Sequence, residues 1–368
     1  MIPTINNISS NEILTFTLSG VNYSIANALR RTILSNIPTV VFKTFPHAEN
    51  EATILVNTSR LTNEIIKHRL SGIPIHITDF EKIPLKECIL EVNVENTTDS
   101  VINVTTKDFK IKNILTNSYL KEELTREIFP PDAFTNDFII FARLRPKFSD
   151  ELPGEKLHLT CKFSIDTSKN NGMYVVASKC SYGFTVDTQE MENTLQQKIQ
   201  DWKNDGKSAD EITFESENWK LLDGLRITKK DSFDFIIESV GVYENKKLIK
   251  LACDILDKEL IYIHDLIEKD EMNIEKSLNI MENSFDIRLE NQDYTIGKIL
   301  EFILYETYFE KNPILSYCGF KKFHPHDNYS IIRLAYKDNI DIQSIKGHLK
   351  ESIAMAIKIF DSIKQLIT

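Results

Sequence analysis

Three places in this 368-residue chain carry side chains whose type and spacing could do chemistry. Glu64 and His68 stand four positions apart, the spacing that puts two side chains on one helical face, so a carboxylate and an imidazole could act there as an acid-base pair. Arg69 follows directly. His324-Pro325-His326-Asp327 is the most metal-like cluster, but it falls in a turn and no second pair of ligands accompanies it. Arg30 and Arg31 are adjacent guanidinium groups, suited to bidentate contact with carboxylates. The five cysteines, Cys88, Cys161, Cys180, Cys253 and Cys318, are widely spread and form no CxxC pair, which excludes the usual zinc spacing and a disulfide framework. Gly172 has no lysine and hydroxyl at Walker spacing after it. With no nucleophile motif, phosphate loop or metal set, catalysis is not what these residues point to. Glu64 and His68 read as a local helical pair, and His324 to Asp327 as a loop.

The stretch that must position the arginines, Phe16 to Pro38, is echoed near the other end of the chain. YSIANAL (Tyr23 to Leu29) aligns with YTIGKIL (Tyr294 to Leu300) at an offset of 271 residues. Each copy has a short alternating segment, a polar turn and an amphipathic helix, for which Ser24 and Thr295 are the expected N-caps. Ile25, Ala28, Leu29, Thr32, Ile33 and Ile37 paint one apolar stripe; Ile296, Ile299, Leu300, Ile303 and Leu304 paint its counterpart. A short helix with one such stripe must press it on something, and two copies of one unit offer each other. Arg30 and Arg31 cannot both lie on the stripe.

Composition bounds the class. With 42% hydrophobic residues and a net charge of -10, the chain is long enough for two or three cored domains and too acidic for a general nucleic-acid surface. No apolar run approaches a membrane span, and Met1 to Ser10 lacks a secretory signal, so an intracellular, cytoplasmic protein without membrane contact is expected.

In chain order, strands are expected over Thr39 to Phe45 and Ala52 to Val56, then a helix within Asn57 to Ile77 stopped at Gly72 and Pro74. Ile83 to Asp166 reads as mostly strands. Thr188 to Asp223 is polar and charged, with a helix near Met191 to Trp202 and the look of an appendage on that β-rich part. Phe233 to Val240 reads as a strand, Lys247 to Ile267 as a long amphipathic helix, and Glu268 to Glu275 as a linker. After the second copy come strands at Ile314 to Lys321 and Ser330 to Tyr336 and a final helix from Ile342 to Ile367. The expected fold class is therefore α+β: a first domain from residues 1–45 plus 232–270, a β-rich insert at 46–231, and a second domain of the first kind at 276–368. The two related domains would pair as an intramolecular pseudo-dimer.

Several stretches resemble one family. NALRRTILSNIP (Asn27 to Pro38) resembles the first-helix motif of the RNA polymerase alpha family, which includes archaeal D and the eukaryotic third-largest subunit. NTSRLTNEIIKHRLSGIPI resembles its next signature, PGEKLHLTCKFSIDTSKNNGMYVVASKCSYG the segment closing the insert, and FDFIIESVG the return strand. DYTIGKILEFIL with SYCGFKKFHPHDNYSIIRL resembles the small partner subunit, archaeal L. One chain holding both resembles the fused assembly subunit of large cytoplasmic DNA viruses. The resemblance implies a non-catalytic platform on which the second-largest and then the largest polymerase subunit dock, with small adaptor subunits, no sequence-specific DNA contact and no cofactor. It places Ile25, Ala28, Leu29, Ile33, Ile296, Ile299, Leu300 and Ile303 at the pseudo-dimer interface. Arg30, Arg31, Glu64, His68 and Arg69 become contacts to the large subunit. Tyr294 and Lys298 depart from the family's His and Asn, which puts the hydrogen bonding of that helix start in doubt. Two other readings stay open, a free-standing hydrolase and a regulatory decoy that binds the large subunit without building an enzyme.

Overall fold

The computed structural model describes residues 1–81, 84–147, 149, 153–277 and 281–367; Ile83, where the expected β-rich stretch begins, lies outside them. The chain opens with β1 (Thr4–Ser10), β2 (Leu14–Ser19), α1 (Tyr23–Ser35), β3 (Pro38–Val41), β4 (Ala52–Asn57) and α2 (Asn63–Ser71). Next come β5 (Cys88–Glu95), β6 (Ile102–Thr105), β7 (Lys110–Asn113), α3 (Glu122–Ile128), β8 (Ile140–Leu144), β9 (Lys156–Lys162) and β10 (Ser164–Thr167). They are followed by β11 (Ala177–Val186), α4 (Thr188–Asn204), α5 (Ala209–Leu221), β12 (Thr228–Ser239) and α6 (Asn245–Glu268). The chain continues through β13 (Ile274–Lys276), β14 (Ser284–Glu290), α7 (Tyr294–Tyr305), β15 (Leu315–Lys321), β16 (Tyr329–Tyr336) and α8 (Ile342–Leu366).

These elements form two compact units. One holds Met1–Ile33, Lys179–Glu238 and Asn245–Thr368; the other holds Leu34–Ser178 and Ser239–Glu244. The division differs from the expected insert of 46–231. Residues 179–231 fall in the first unit because β11 hydrogen-bonds beside β12 in one sheet. The polar stretch 188–223 is therefore no appendage of the β-rich part. It is a hairpin of two helices, α4 and α5, joining β11 to β12, and α5 begins at a capping box formed by Ser208 and Glu211.

In the first unit the same order of parts occurs twice. The sheets run β1-β2-β12-β11 and β13-β14-β16-β15. In each, the second strand leads into a helix of 13 or 12 residues, and the third leads into a long helix of 24 or 25. Both central strand pairs are antiparallel, and each carries a polar cross-strand contact. Thr17 Oγ1 donates to Asp234 Oδ1 at 2.7 Å across β2 and β12, while Arg333 grips Asp286 through two bonds of 2.6 and 2.7 Å across β16 and β14. Phe16 and Phe235 stack 5.0 Å apart on the first sheet.

The second unit is built on the sheet β4-β9-β5-β7, with the ribbons β6-β8 and β10-β3 beside it. Alternation explains these strands: Cys88, Leu90 and Val92 of β5 and Leu157, Leu159 and Cys161 of β9 are buried at every second position, the period of a strand with one face on a core. That core holds Phe42, Phe109, Phe129 and Phe141, with Phe109 edge-on to both Phe129 and Phe141, and α2 presses Ile66 and Leu70 into it.

Candidate interaction surfaces

The apolar stripes of the two short helices are buried: Ile25, Ala28, Leu29 and Ile33 on α1, and Ile296, Ile299, Leu300 and Ile303 on α7. The caps are not the expected ones. Asn22 Oδ1 accepts from the backbone N–H of Ser24 at 2.9 Å, and Asp293 Oδ1 accepts from that of Thr295 at 2.8 Å. Each helix thus begins two residues earlier than expected, with the capping group two residues before the hydroxyl. Ser24 and Thr295 lie inside the helices, and the Ser24 hydroxyl is buried without a partner. An Asx side chain reaches these N–H groups from just outside the helix, where its backbone is still extended, which is why it outcompetes the later hydroxyls. Asn22 and Asp293 are related by the same 271-residue offset, so the repeat itself carries the signal for both caps.

The arginine pair splits. Arg31 Nη2 lies 2.9 Å from Asp293 Oδ2, so it reaches the cap of the second copy's helix. Arg30 Nε donates to Asn27 Oδ1 at 3.0 Å, on its own helix. Both side chains remain only partly buried. The long helices of the two copies are tied by cations of α8 to acids on and just beyond α6. Lys350 Nζ lies 2.6 Å from Glu268, and Lys364 and Lys346 pair with Asp254 and Asp270. Between them sits Asp257, buried on α6 with Oδ1 unpartnered; burial, then Asp361 and Asp254, push its carboxyl up to about 7.

On the second unit, α2 is capped by Thr62, whose hydroxyl accepts from Ile65 N–H, and stops at Gly72. The expected pair of Glu64 and His68 does not form among the described residues. The Glu64 carboxyl is held below its usual range by its own backbone N–H and the Thr62 hydroxyl, so it serves the helix start, while His68 stays exposed. Glu64 and His68 instead share the wall of a cleft of about 580 Å³ with Phe45, His47 and Met173. Phe45 is 71% exposed there, an uncovered aromatic at the rim. Arg69 points elsewhere: its Nη2 donates to the carbonyl of Ile140 at 2.9 Å, on the wall of a second cleft.

Among the described residues no group of three potential ligands gathers to hold a metal. In the His324 turn, Asp327 Oδ2 accepts from His324 N–H at 3.0 Å and His324 Nδ1 from His326 N–H at 3.2 Å, so these side chains close the turn. Burial pushes the thiols of Cys161, Cys180 and Cys318 up to about 12. No helix among the described residues is long and apolar enough to cross a membrane.

Residues 15–260 match the model of the RNA polymerase Rpb3/Rpb11 dimerisation domain, and the chain belongs to that family. Several relatives are named as RNA polymerase subunits, from different lineages. A subunit Rpo3 of Thermococcus kodakarensis is 50% identical over 60 residues, 16% of this chain and 20% of its own length. The subunit 3B of RNA polymerases IV and V from Arabidopsis thaliana is 25% identical over 287 residues, 67% of this chain and 85% of its own. A Methanosphaera stadtmanae Rpo3 is 21% identical over 277 residues, 70% and 95% of the two chains. The short, strong match thus spans only a fifth of the Thermococcus subunit, while the weaker ones span most of theirs.

Proposed function

We propose that this chain is a non-catalytic assembly subunit of a multisubunit DNA-directed RNA polymerase. The observation that carries the reading is the repeated order of strands and helices, found in a chain of the Rpb3/Rpb11 dimerisation family. In relatives named as single polymerase subunits one such unit would need a partner; here the second copy, 276–368, would be that partner. The copies would pair through Ile25, Ala28, Leu29 and Ile33 with Ile296, Ile299, Leu300 and Ile303, as a pseudo-dimer within one chain. The ion pairs of Arg31 with Asp293 and of α8 with the acids of α6 support this pairing.

The second-largest polymerase subunit would dock on two patches, one on each unit. Arg30, with what Arg31 leaves exposed, forms the first; Glu64, His68 and Arg69 on α2 belong to the second. The largest subunit and small adaptors would follow, with the acidic platform held away from DNA in a cytoplasmic enzyme. A tagged copy of the full chain is expected to copurify with a polymerase of two large subunits, and Arg30→Glu with Arg31→Glu to weaken that capture while the chain stays folded. Recovery of the intact enzyme from cells lacking this chain would sink the proposal.

A further inference from the structure

The second cleft on the β-rich unit has a charge pattern unlike the rest of this acidic chain. It encloses about 660 Å³ and is ringed by Arg60, Arg69, Arg143 and Arg145. Among the described residues Glu155 is the one carboxylate on its wall, and it is spent: its Oε1 receives Arg145 Nε at 2.6 Å and its Oε2 the Arg145 backbone N–H at 2.7 Å. Among the described residues no carboxylate pairs with Arg60, Arg69 or Arg143, although the sequence carries ten more acids than bases. Three guanidinium groups therefore face one cleft without a carboxylate partner among the described residues. Its walls are apolar as well. Leu61 and Ala142 line it, and Val101 and Ile140 are 57% and 42% exposed there.

The cleft is built rather than incidental. Asn96, fully buried, donates through Nδ2 to the carbonyls of Ser100 and Leu144, and its backbone N–H donates to Glu155 at 2.9 Å. Gly154 is packed so closely that a Cβ would come within 1.8 Å of the Asn96 carbonyl oxygen. This knot fixes Glu155, which fixes Arg145, while the Ile140 carbonyl holds Arg69 with the rest of its guanidinium free. We propose that the cleft binds an acidic segment of a partner protein in which carboxylates alternate with large apolar side chains. Arginine forks accept carboxylates two oxygens at a time, and the apolar walls take the intervening side chains. A nucleic acid would meet the same cations, but the apolar lining and the acidity of the whole chain favour the peptide. The cleft shares only Arg69 with the proposed large-subunit contact.

The test uses the full chain and a fluorescein-labelled synthetic peptide in which Glu alternates with Leu, read by fluorescence anisotropy. The Glu peptide is expected to bind at least tenfold more tightly than its Gln counterpart, and increasingly weakly as salt rises. Arg60→Glu with Arg143→Glu is expected to abolish the difference at unchanged melting temperature; Arg60→Gln with Arg143→Gln serves if the reversal disturbs folding. No binding of the Glu peptide, equal binding of the Gln peptide, undiminished binding by the variants, or tighter binding of an oligouridylate of equal charge would each overturn the assignment. Capture of the second-largest subunit, measured on the same variants, reports separately on the assembly reading, since neither Arg60 nor Arg143 belongs to it.

Discussion

Where the first copy of the repeated unit has Asn22 and Ala26, the second has Asp293 and Gly297, and the neighbours explain both changes. Ala26 is fully buried in α1. At Gly297 a Cβ would stand 1.9 Å from the ring of Phe320 on β15, which also packs edge-on against Tyr294. A methyl in one copy and an aromatic ring in the other fill the same place. Asn22 caps a helix as a neutral group, whereas Asp293 caps as a carboxylate and gains Arg31. The stripe positions stay buried in both copies, identical at Ile25/Ile296 and Leu29/Leu300 and larger in the second at Ala28/Ile299 and Thr32/Ile303. The positions around them change in matched sets, each adjusted to a side chain its own copy supplies.

The proposed pairing of the copies is tested most severely at Leu29 and Leu300. Either Leu→Asp change places an unpaired charge in a core and is expected to cost at least ~4 kcal/mol, enough to abolish a cooperative transition in urea. If Leu29→Asp leaves the amides of α7 and α8 fully protected from hydrogen exchange, the copies fold independently and do not pair.

The next effect lies on α6. Asp257 takes up its proton from a usual value of 3.8 when unfolded but near 7 when folded, so between those values the native state binds more protons than the unfolded chain. Stability should then fall as pH rises from about 4 to about 7, by an amount on the order of a few kcal/mol at most. Asp257→Asn should flatten that slope in melting curves taken across the window; an unchanged slope would place it elsewhere.

Smaller effects compare the two helix starts directly. Gly297→Ala should destabilise by roughly 1–3 kcal/mol because Phe320 must move, although Ala is the better helix former. Ala26→Gly should lose about 1 kcal/mol for lack of any such compensation. Asn22→Ala should cost about 1 kcal/mol as a lost cap. A double-mutant cycle of Arg31→Ala with Asp293→Ala should show a coupling below about 1 kcal/mol, since both side chains are more than a third exposed. A coupling several times larger would mean that this ion pair, and not the apolar stripe, holds the copies in register.

Periodicity made the repeat legible. Strands β2 and β14, helices α1, α6, α7 and α8, and the buried stripes all follow from spacing that the residues display. Less visible were the sheet-edge strands β1, whose residues are almost all exposed, and β13, only three residues long, and α5, whose charged surface hides its helical period. The division at residue 178 was not legible, because a strand that belongs to a distant sheet looks locally like the strands beside it. Of the candidate surfaces, the arginines were visible as residues but not their split: Asn27 is a helical neighbour of Arg30, whereas Asp293 claims Arg31 only in three dimensions. The second cleft was invisible, because Arg60, Arg69, Arg143 and Arg145 stand on separate stretches of the chain that only the folded β-rich unit brings together.

The chain leaves the first unit after Ile33 and returns to it at Lys179. Ser19 and Ser232, whose hydroxyls meet at 2.8 Å, are consequently 213 positions apart, while Asp286 and Arg333 in the second copy are 47 apart. On a ribosome, β2 emerges early and must wait for β12 with its hydrogen-bonding edge open, while the β-rich unit has its whole core synthesised first. Closing the longer loop costs only about 1 kcal/mol more, but non-local pairing is slow. The first copy is thus completed only after the β-rich unit that interrupts it, and the interval before β12 appears is when the nascent chain is most exposed to wrong strand partners.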